Sequence, residues 1–216
     1  FLGLLNLDQH RHELKNAVYK TMGDIAITLY VHAGTLKNGI TYLKVRSEYL
    51  EAWGLEKDDV LHEALLNSYR ILPPRIYDFK KMMYTPGYAG EDFLNMDPYF
   101  ISDKKKKEGI CLSVKGLSNG AVAVLYPGVI KKLVEFMDGG FYVVFSSVHE
   151  ALIYSSKLCS LEELENLLRT SNARMTFQKE FLTDKVYYYC KEEDKFIMLR
   201  GSMKMLVTTI RMDEEN

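Results

Sequence analysis

The most continuously apolar part of the chain lies between Gly120 and Ser156, and its pattern predicts four elements in a row. The segment from Ala121 to Leu125 is apolar without alternation, which is typical of a strand buried on both faces. Apolar residues then recur at helical spacing from Val129 to Met137, after a proline suited to a helix start. The pattern therefore predicts a buried strand followed by an amphipathic helix.

Two further apolar strands follow this helix. They run from Phe141 to Phe145 and from Ala151 to Tyr154, and the short polar turn between them predicts a hairpin. We expect the helix and the three strands to share one core. Its predicted members are Val122, Val124, Leu133, Val143, Val144 and Leu152.

The flanking segments repeat this mixture of strands and helices. Ser47 is a candidate cap for a short helix, and Trp53, the only tryptophan, is interpreted as a core anchor on that helix. Ser160 and Glu163 form a capping-box pattern at the start of another helix. The predicted strands are 1–7, 25–32, 39–45, 185–190, 195–200 and 203–212, and the predicted helices are 47–53, 57–72 and 160–170.

This order of elements predicts an α+β fold: a mainly antiparallel sheet in two lobes, with helices packed on the sheet faces. The predicted division is an N-terminal lobe at 1–79, an aromatic and lysine-rich connection at 80–108, and a C-terminal lobe at 109–216. We expect the lobes to form one compact unit. The chain begins at Phe1 in the middle of a pattern, so we expect it to be a fragment of a longer protein.

Composition narrows the class of protein. Hydrophobic residues make up 47% and charged residues 26% of the chain, which is typical of a soluble globule. The net charge of −1 argues against wrapping nucleic acid over a wide surface, and no apolar run approaches the ~20 residues of a membrane helix. The three widely spaced cysteines favour a reducing cytoplasm. Neither a metal site nor a cofactor is predicted, since no ligand spacing or glycine-rich phosphate loop occurs.

Three short motifs lie in the second half of the chain. They are NGAxxxLYPGV from Asn119 to Val129, FYxxxSSxHE from Phe141 to Glu150, and VYYY from Val186 to Tyr189. Together they resemble an uncharacterised domain family that is common in gut Firmicutes and is described only as a domain of unknown function. The resemblance implies a bacterial protein and no known activity.

The turn between the predicted strands 141–145 and 151–154 contains hydroxyl, imidazole and carboxylate side chains, which acid–base and nucleophilic chemistry requires. One interpretation is a hydrolase-type site at this turn. The other is a hydrogen-bonded turn whose serines bond nearby backbone, and the sequence favours it because neighbouring turn residues rarely face one another. Phe145 and Lys115-Gly116 also depart from the proline and Thr-Asn pair of the resembled family. The candidates are Ser146, Ser147, His149 and Glu150.

The connection between the lobes is a second candidate site. Tyrosines beside a lysine run can stack bases and neutralise phosphates, or they can anchor a protein partner. The aromatics can also pack over the core while the lysines form a solvated loop, and the sequence favours this interpretation. The candidate binding residues are Tyr84, Tyr88, Tyr99, Lys104, Lys105, Lys106 and Lys107.

The sequence favours a non-catalytic binding or regulatory module of a bacterial or mobile-element protein, located in the cytoplasm. The expected partner is another protein, while binding to nucleic acid or to a membrane is not expected. Two alternatives stay open: a hydrolase that uses the turn from Ser146 to Glu150, and nucleic-acid binding through Lys104 to Lys107. The sequence leaves the oligomeric state open.

Overall fold

The computed structural model describes residues 1–36, 39–97, 99, 101–174, 177–200 and 203–206. The first of its two antiparallel sheets is built around the long strand β3, which pairs with β1 along one edge and with β2 and then β4 along the other. These strands are β1 (Leu2–Asn6), β2 (Tyr19–Met22), β3 (Ile25–Leu36) and β4 (Gly39–Lys44). The helices in this part of the chain are α1 (Arg11–Leu14), α2 (Ser47–Trp53) and α3 (Lys57–Ile71).

The second sheet has eight strands in the order β12-β11-β10-β8-β9-β7-β5-β6, and each neighbouring pair is antiparallel. The strands are β5 (Pro74–Tyr77), β6 (Glu91–Asp92), β7 (Ile110–Val114), β8 (Phe141–Val144), β9 (Ala151–Ser155), β10 (Val186–Cys190), β11 (Lys195–Arg200) and β12 (Met203–Leu206). The helices are α4 (Phe79–Tyr84), α5 (Asp103–Glu108), α6 (Val129–Met137) and α7 (Leu161–Arg174).

The two antiparallel sheets with their helices confirm the α+β class. Strand β5 precedes residue 80 and pairs with β7, which follows residue 109, so the second sheet takes strands from both sides of the connection. The lobe boundaries stay a prediction. Within the described residues, no helix combines the length and the apolar character that crossing a bilayer requires.

One large hydrophobic cluster joins the two sheets. It includes Ile27 of β3, Leu112 of β7 and Val143 of β8, together with Leu65 of α3 and Phe136 of α6. A smaller cluster lies on the opposite face of the second sheet beneath α7. The predicted placement of Val144 and Leu152 in the main core is wrong, because both pack in the smaller cluster. Adjacent strand residues point to opposite faces, so Val143 and Val144 belong to different cores.

A partly buried polar contact also connects the sheets. The Tyr187 hydroxyl donates to Asp24 Oδ1 at 2.6 Å, and Thr183 Oγ1 donates to Asp24 Oδ2 at 2.8 Å. Burial, and then the charge of Asp24, raises the pKa of Tyr187 above its ordinary value, so the phenol stays protonated as a donor. The turn between β2 and β3 is thereby held against β10.

The predicted strand from Ala121 to Leu125 is wrong. Residues Gly120–Leu125 form a 3-10 helix, all six residues of which are buried, and this helix packs against β7 instead of joining the sheet. A short apolar run that is buried all round has the same pattern in a strand and in a helix. Asn119, whose φ of 53° is left-handed, starts the turn.

Three smaller predictions are also wrong. Trp53 is 57% exposed and is therefore not a core anchor. Helix α2 starts at Ser47 itself, after Arg46, which makes no side-chain cap bond. The lysine run is helix α5 rather than a loop, since the Ser102 hydroxyl caps it by accepting from Lys105 N.

The capping box at Ser160 and Glu163 is confirmed. Strand β12 ends at residue 206, and residues 207–212 of the predicted strand lie outside the described residues.

Candidate functional site

The start of the first motif packs directly against the end of the second, although Asn119 and His149 lie 30 positions apart in the sequence. Asn119 N–H donates to His149 Nδ1 at 3.1 Å, and Ala121 N–H donates to Val148 O at 3.2 Å. Gly120 lies so close to the turn that a Cβ there would come within 2.7 Å of His149 O. The 3-10 helix therefore supports the turn from behind, and glycine is the residue that allows this approach.

The two serines of the turn are directed to Glu150. Ser146 Oγ donates to Glu150 Oε1 at 2.6 Å, and Ser147 Oγ donates to the same oxygen at 2.9 Å. Ser147 Oγ also accepts from His149 N–H at 3.0 Å. Two side-chain bonds to Glu150 and one backbone bond to Ser147 Oγ therefore close the turn, so the predicted bonding of the serines to nearby backbone holds for Ser147 alone among these contacts.

The imidazole of His149 is hydrogen-bonded at Nδ1 and has a carboxylate near Nε2. Nδ1 accepts from Asn119 N–H, so Nε2 carries the proton of the neutral ring, and Nε2 lies 3.4 Å from Glu180 Oε1. The chain at Glu180 is itself tied to the turn, because Val148 N–H donates to Glu180 O at 2.9 Å. The serine hydroxyls and the imidazole thus have separate partners, which is the opposite of a serine nucleophile bound to a histidine base.

A cavity of about 560 Å³ opens beside this turn. Besides the four turn residues, its lining includes Thr170, Ser171 and Arg174 of α7 and Glu180. The nearby thiol of Cys111 is no nucleophile, since burial, and then the charge of Glu150, raises the pKa of Cys111 to about 12. The cavity is open and is lined by both polar and apolar atoms, and within the described part of the chain no cluster of His, Cys, Asp and Glu could hold a metal ion.

We expect His149→Ala to lower the free energy of unfolding by about 1 kcal/mol, the net value of a typical hydrogen bond. The reason is that Asn119 N–H would lose its acceptor. Thermal melts should then show a decrease of roughly 2–4 °C for a chain of this size. His149→Asn is the matched control, since its amide oxygen can accept from the same N–H. An unchanged melting temperature would contradict this structural role.

The tyrosine candidates in the connection separate into one half-buried and two exposed side chains. Tyr88 is structural: its hydroxyl accepts from Asp78 N–H at 3.4 Å, and its ring meets Tyr77 edge-on with centroids 5.9 Å apart. Tyr84 and Tyr99 are 80% and 96% exposed. The structure therefore does not bring the three tyrosines together as one stacking platform.

The lysine run is largely neutralised by carboxylates. Lys104 pairs with Glu108 at 3.7 Å, Lys106 with Asp103 at 3.3 Å, and Lys105 with Asp78 at 2.8 Å. Lys107 contributes its carbonyl, which accepts from Cys159 Sγ at 3.4 Å. A phosphate backbone would have to compete with these pairs, which weakens the electrostatic attraction on which nucleic-acid binding depends.

Asp78 joins α4 to α5. Its carboxylate caps α4 by accepting from Lys80 N and Lys81 N, and it pairs with Lys105 of α5. The bond from Lys105, and then the bond from the Lys81 amide, lowers the pKa of Asp78 from 3.8 to about 2. The folded-state pKa of Asp78 is depressed, so its ionised carboxylate stabilises the folded protein. This stabilisation is present above the unfolded-state pKa and is lost as the pH falls towards 2.

We expect Asp78→Asn to cost about 1 kcal/mol at pH 6, a value reduced for the partial exposure of the pair. Asparagine keeps the cap of α4 and removes only the charge. The stability difference from wild type should shrink between pH 4 and pH 2, because wild-type Asp78 then becomes neutral as well. Urea unfolding at several pH values measures this. A difference that stays constant down to pH 2 would contradict the assignment.

A groove of about 810 Å³ runs beside β4, and we call it the edge groove. The cross-strand pair Val31 and Leu43 in its lining is 44% and 57% exposed. Tyr49 and Trp53 of α2 stack with ring centroids 5.8 Å apart and are 45% and 57% exposed. Apolar side chains that cluster in this way on a surface mark an interaction site more often than single exposed residues do.

The backbone of β4 also faces this groove. Tyr30 exchanges two backbone hydrogen bonds with Phe1, each of 2.9 Å, so its N–H and C=O point towards β1. Its neighbours Leu29 and Val31 therefore point towards β4, and Leu29 O accepts from Val45 N–H at 3.0 Å. Hydrogen bonding alternates along an antiparallel pair, so Tyr42 and Lys44 direct their N–H and C=O away from β3. Among the described strands, β4 pairs with β3 alone.

Sequence reasoning missed the edge groove. Tyr49 and Trp53 lie four residues apart, which places them on one face of α2, while the buried Leu50 belongs to another. This spacing is a signal that both aromatics share the exposed face. The exposure of Leu43, in contrast, could not be found from the sequence, because the alternation along β4 places it on the same face as the buried Val45.

Comparisons with known proteins identify the chain only at the level of a family. The model of a family described as "Family of unknown function (DUF5688)" matches residues 1–191 of the 216. No curated protein and no solved structure matches the chain.

Proposed function

The chain belongs to the DUF5688 family of unknown function, and from that premise we propose that it is a non-catalytic module that binds an extended segment of another protein in the edge groove. The observation that carries this proposal is the combination of an apolar groove with an outward-facing strand edge. Extended segments bind sheet edges by adding a strand, in which backbone bonds supply affinity and side-chain pockets supply specificity. Trp53 and Tyr49 are residue types that dominate the energy of protein interfaces.

The two alternative functions have less support. A hydrolase would need the serines and His149 to act together, whereas the serines bond Glu150 and the ring accepts from Asn119 N–H and lies beside Glu180. Nucleic-acid binding would need free lysines, and three of the four in α5 are paired. A bacterial cytoplasm, or a mobile element within it, is the setting that we propose, supported by the sequence resemblance and by the free cysteines.

Selection from a display library of random peptides of about ten residues tests the proposed function. Peptides enriched on the wild-type protein should lose affinity at least about tenfold with Trp53→Ala or Leu43→Lys, since both changes alter the apolar lining of the groove. Ile71→Lys is the matched control, because Ile71 is 70% exposed and lies outside the groove lining.

Amide hydrogen exchange provides the second measurement. Bound peptide should protect the amides of Tyr42 and Lys44, which face the groove, with less change at Leu43, whose amide faces β3. Peptides that bind Leu43→Lys and Trp53→Ala as well as wild type, or that leave both amides unprotected, would refute strand addition at this edge.

A further inference from the structure

We infer that the segment bound in the edge groove alternates apolar and acidic residues; this inference rests on the proposed function and specifies the chemistry of the partner. The groove has two chemically different walls. Val31 and Leu43 lie on the core face of the first sheet, as do the buried Leu29 and Val45. Helix α2 packs on that same face through Leu50, so its exposed Trp53 extends the apolar wall.

The opposite wall is polar and basic. Tyr42 and Lys44 point away from the core face, and Lys44 bonds Glu13 of α1 on that side. The charged lining consists of Lys15, Lys44 and Arg46 against the single carboxylate Glu13, and three positive charges less one negative charge leave +2 with histidine neutral. The lining therefore favours a ligand with negative charge on this side.

Lys15 is the positively charged side chain of the groove that is most available to pair with a ligand. Glu13 forms an ion pair with Lys44. Arg46 Nη1 lies 3.4 Å from Oε1 of Glu48, a residue outside the groove lining. Within the part of the chain that the structure describes, exposed Lys15 forms no ion pair. A carboxylate on the bound segment would supply this missing partner.

The alternation follows from the geometry of an added strand. Successive side chains of the added strand point to opposite faces, so every second residue meets the wall of Leu43 and Trp53. The residues between them meet the wall of Lys15 and Lys44. The same charge argues against a second copy of the chain as the occupant, because edge-to-edge pairing would bring two positively charged grooves together.

Two synthetic peptides of about ten residues test the inference by titration against the whole chain. In the first, Val or Thr alternates with Glu; in the second, Lys replaces every Glu. We expect the acidic peptide to bind about tenfold more tightly at low salt, and this advantage to decrease with added salt. Lys15→Glu should reduce or reverse the preference, with Lys157→Glu, which lies outside the groove, as the charge-matched control. Thermal melts establish that both variants fold.

Backbone methylation separates a failure of this inference from a failure of the proposed function. N-methylation at the alternate positions that face β4 should abolish binding, while methylation at the other positions should not. If both peptides bind equally and protect Tyr42 and Lys44, the acidic preference is refuted and strand addition stands. If neither peptide protects these two amides, strand addition and the inference fail together.

Discussion

Val143→Asp is expected to leave no soluble folded protein. Val143 is 0% exposed and lies opposite Tyr187 on one side and Ile153 on the other, in the middle of the second sheet. An ionised carboxylate in this apolar surrounding would have no partner, and burying it costs several kcal/mol. That cost is a large part of the roughly 5–15 kcal/mol by which a domain of ordinary stability is folded.

Soluble expression and a thermal melt test this prediction. Ile71→Asp introduces the same charge at a residue of α3 that is 70% exposed, and we expect it to fold with a stability close to wild type. Val143→Ala separates the loss of volume from the burial of charge, and we expect a smaller cost of about 1–3 kcal/mol. A Val143→Asp protein that is soluble and unfolds cooperatively would refute the central position of β8.

Gly120→Ala is expected to lower stability by about 3 kcal/mol or more, although it adds one methyl group. An added Cβ would lie 2.0 Å from Ser113 Oγ and 2.7 Å from both His149 O and Val114 N. Two of these neighbours are backbone atoms of β7 and the turn, which cannot move without breaking the bond from Ser113 Oγ to His149 O. Overpacking of this kind costs about 1–3 kcal/mol or more.

Gly34→Ala is the matched control, because a Cβ at Gly34 would meet no atom within 4 Å. We expect it to change the melting temperature little, whereas Gly120→Ala should lower it by roughly 6–12 °C. The double variant Gly120→Ala with Ser113→Gly removes the closest contact and should recover only part of the loss, since the two backbone contacts persist. Equal melting temperatures for wild type and Gly120→Ala would show that the 3-10 helix does not support the turn.

The same residues show why the candidate site was only partly predictable. The residue types at the turn from Ser146 to Glu150 suggested either catalysis or a hydrogen-bonded turn, and sequence alone contains no distances that separate the two. One contact that helps to decide between catalysis and a hydrogen-bonded turn is the bond from Asn119 N–H to His149. These two residues lie 30 positions apart in the sequence. Contacts of this separation arise from packing, not from local pattern.

The sequence by itself determined the α+β class, most helices and strands, the hairpin of β8 and β9, and the capping box of α7. Each of these features depends on local periodicity or on local hydrogen bonding. Only the tertiary structure decided that Gly120–Leu125 is a 3-10 helix and that Val143 and Val144 belong to different cores. It also decided that Trp53 is exposed beside an outward-facing strand edge. These features depend on which surfaces are covered by distant parts of the chain, and hydrophobicity along a sequence indicates that a residue can be buried but not which element covers it.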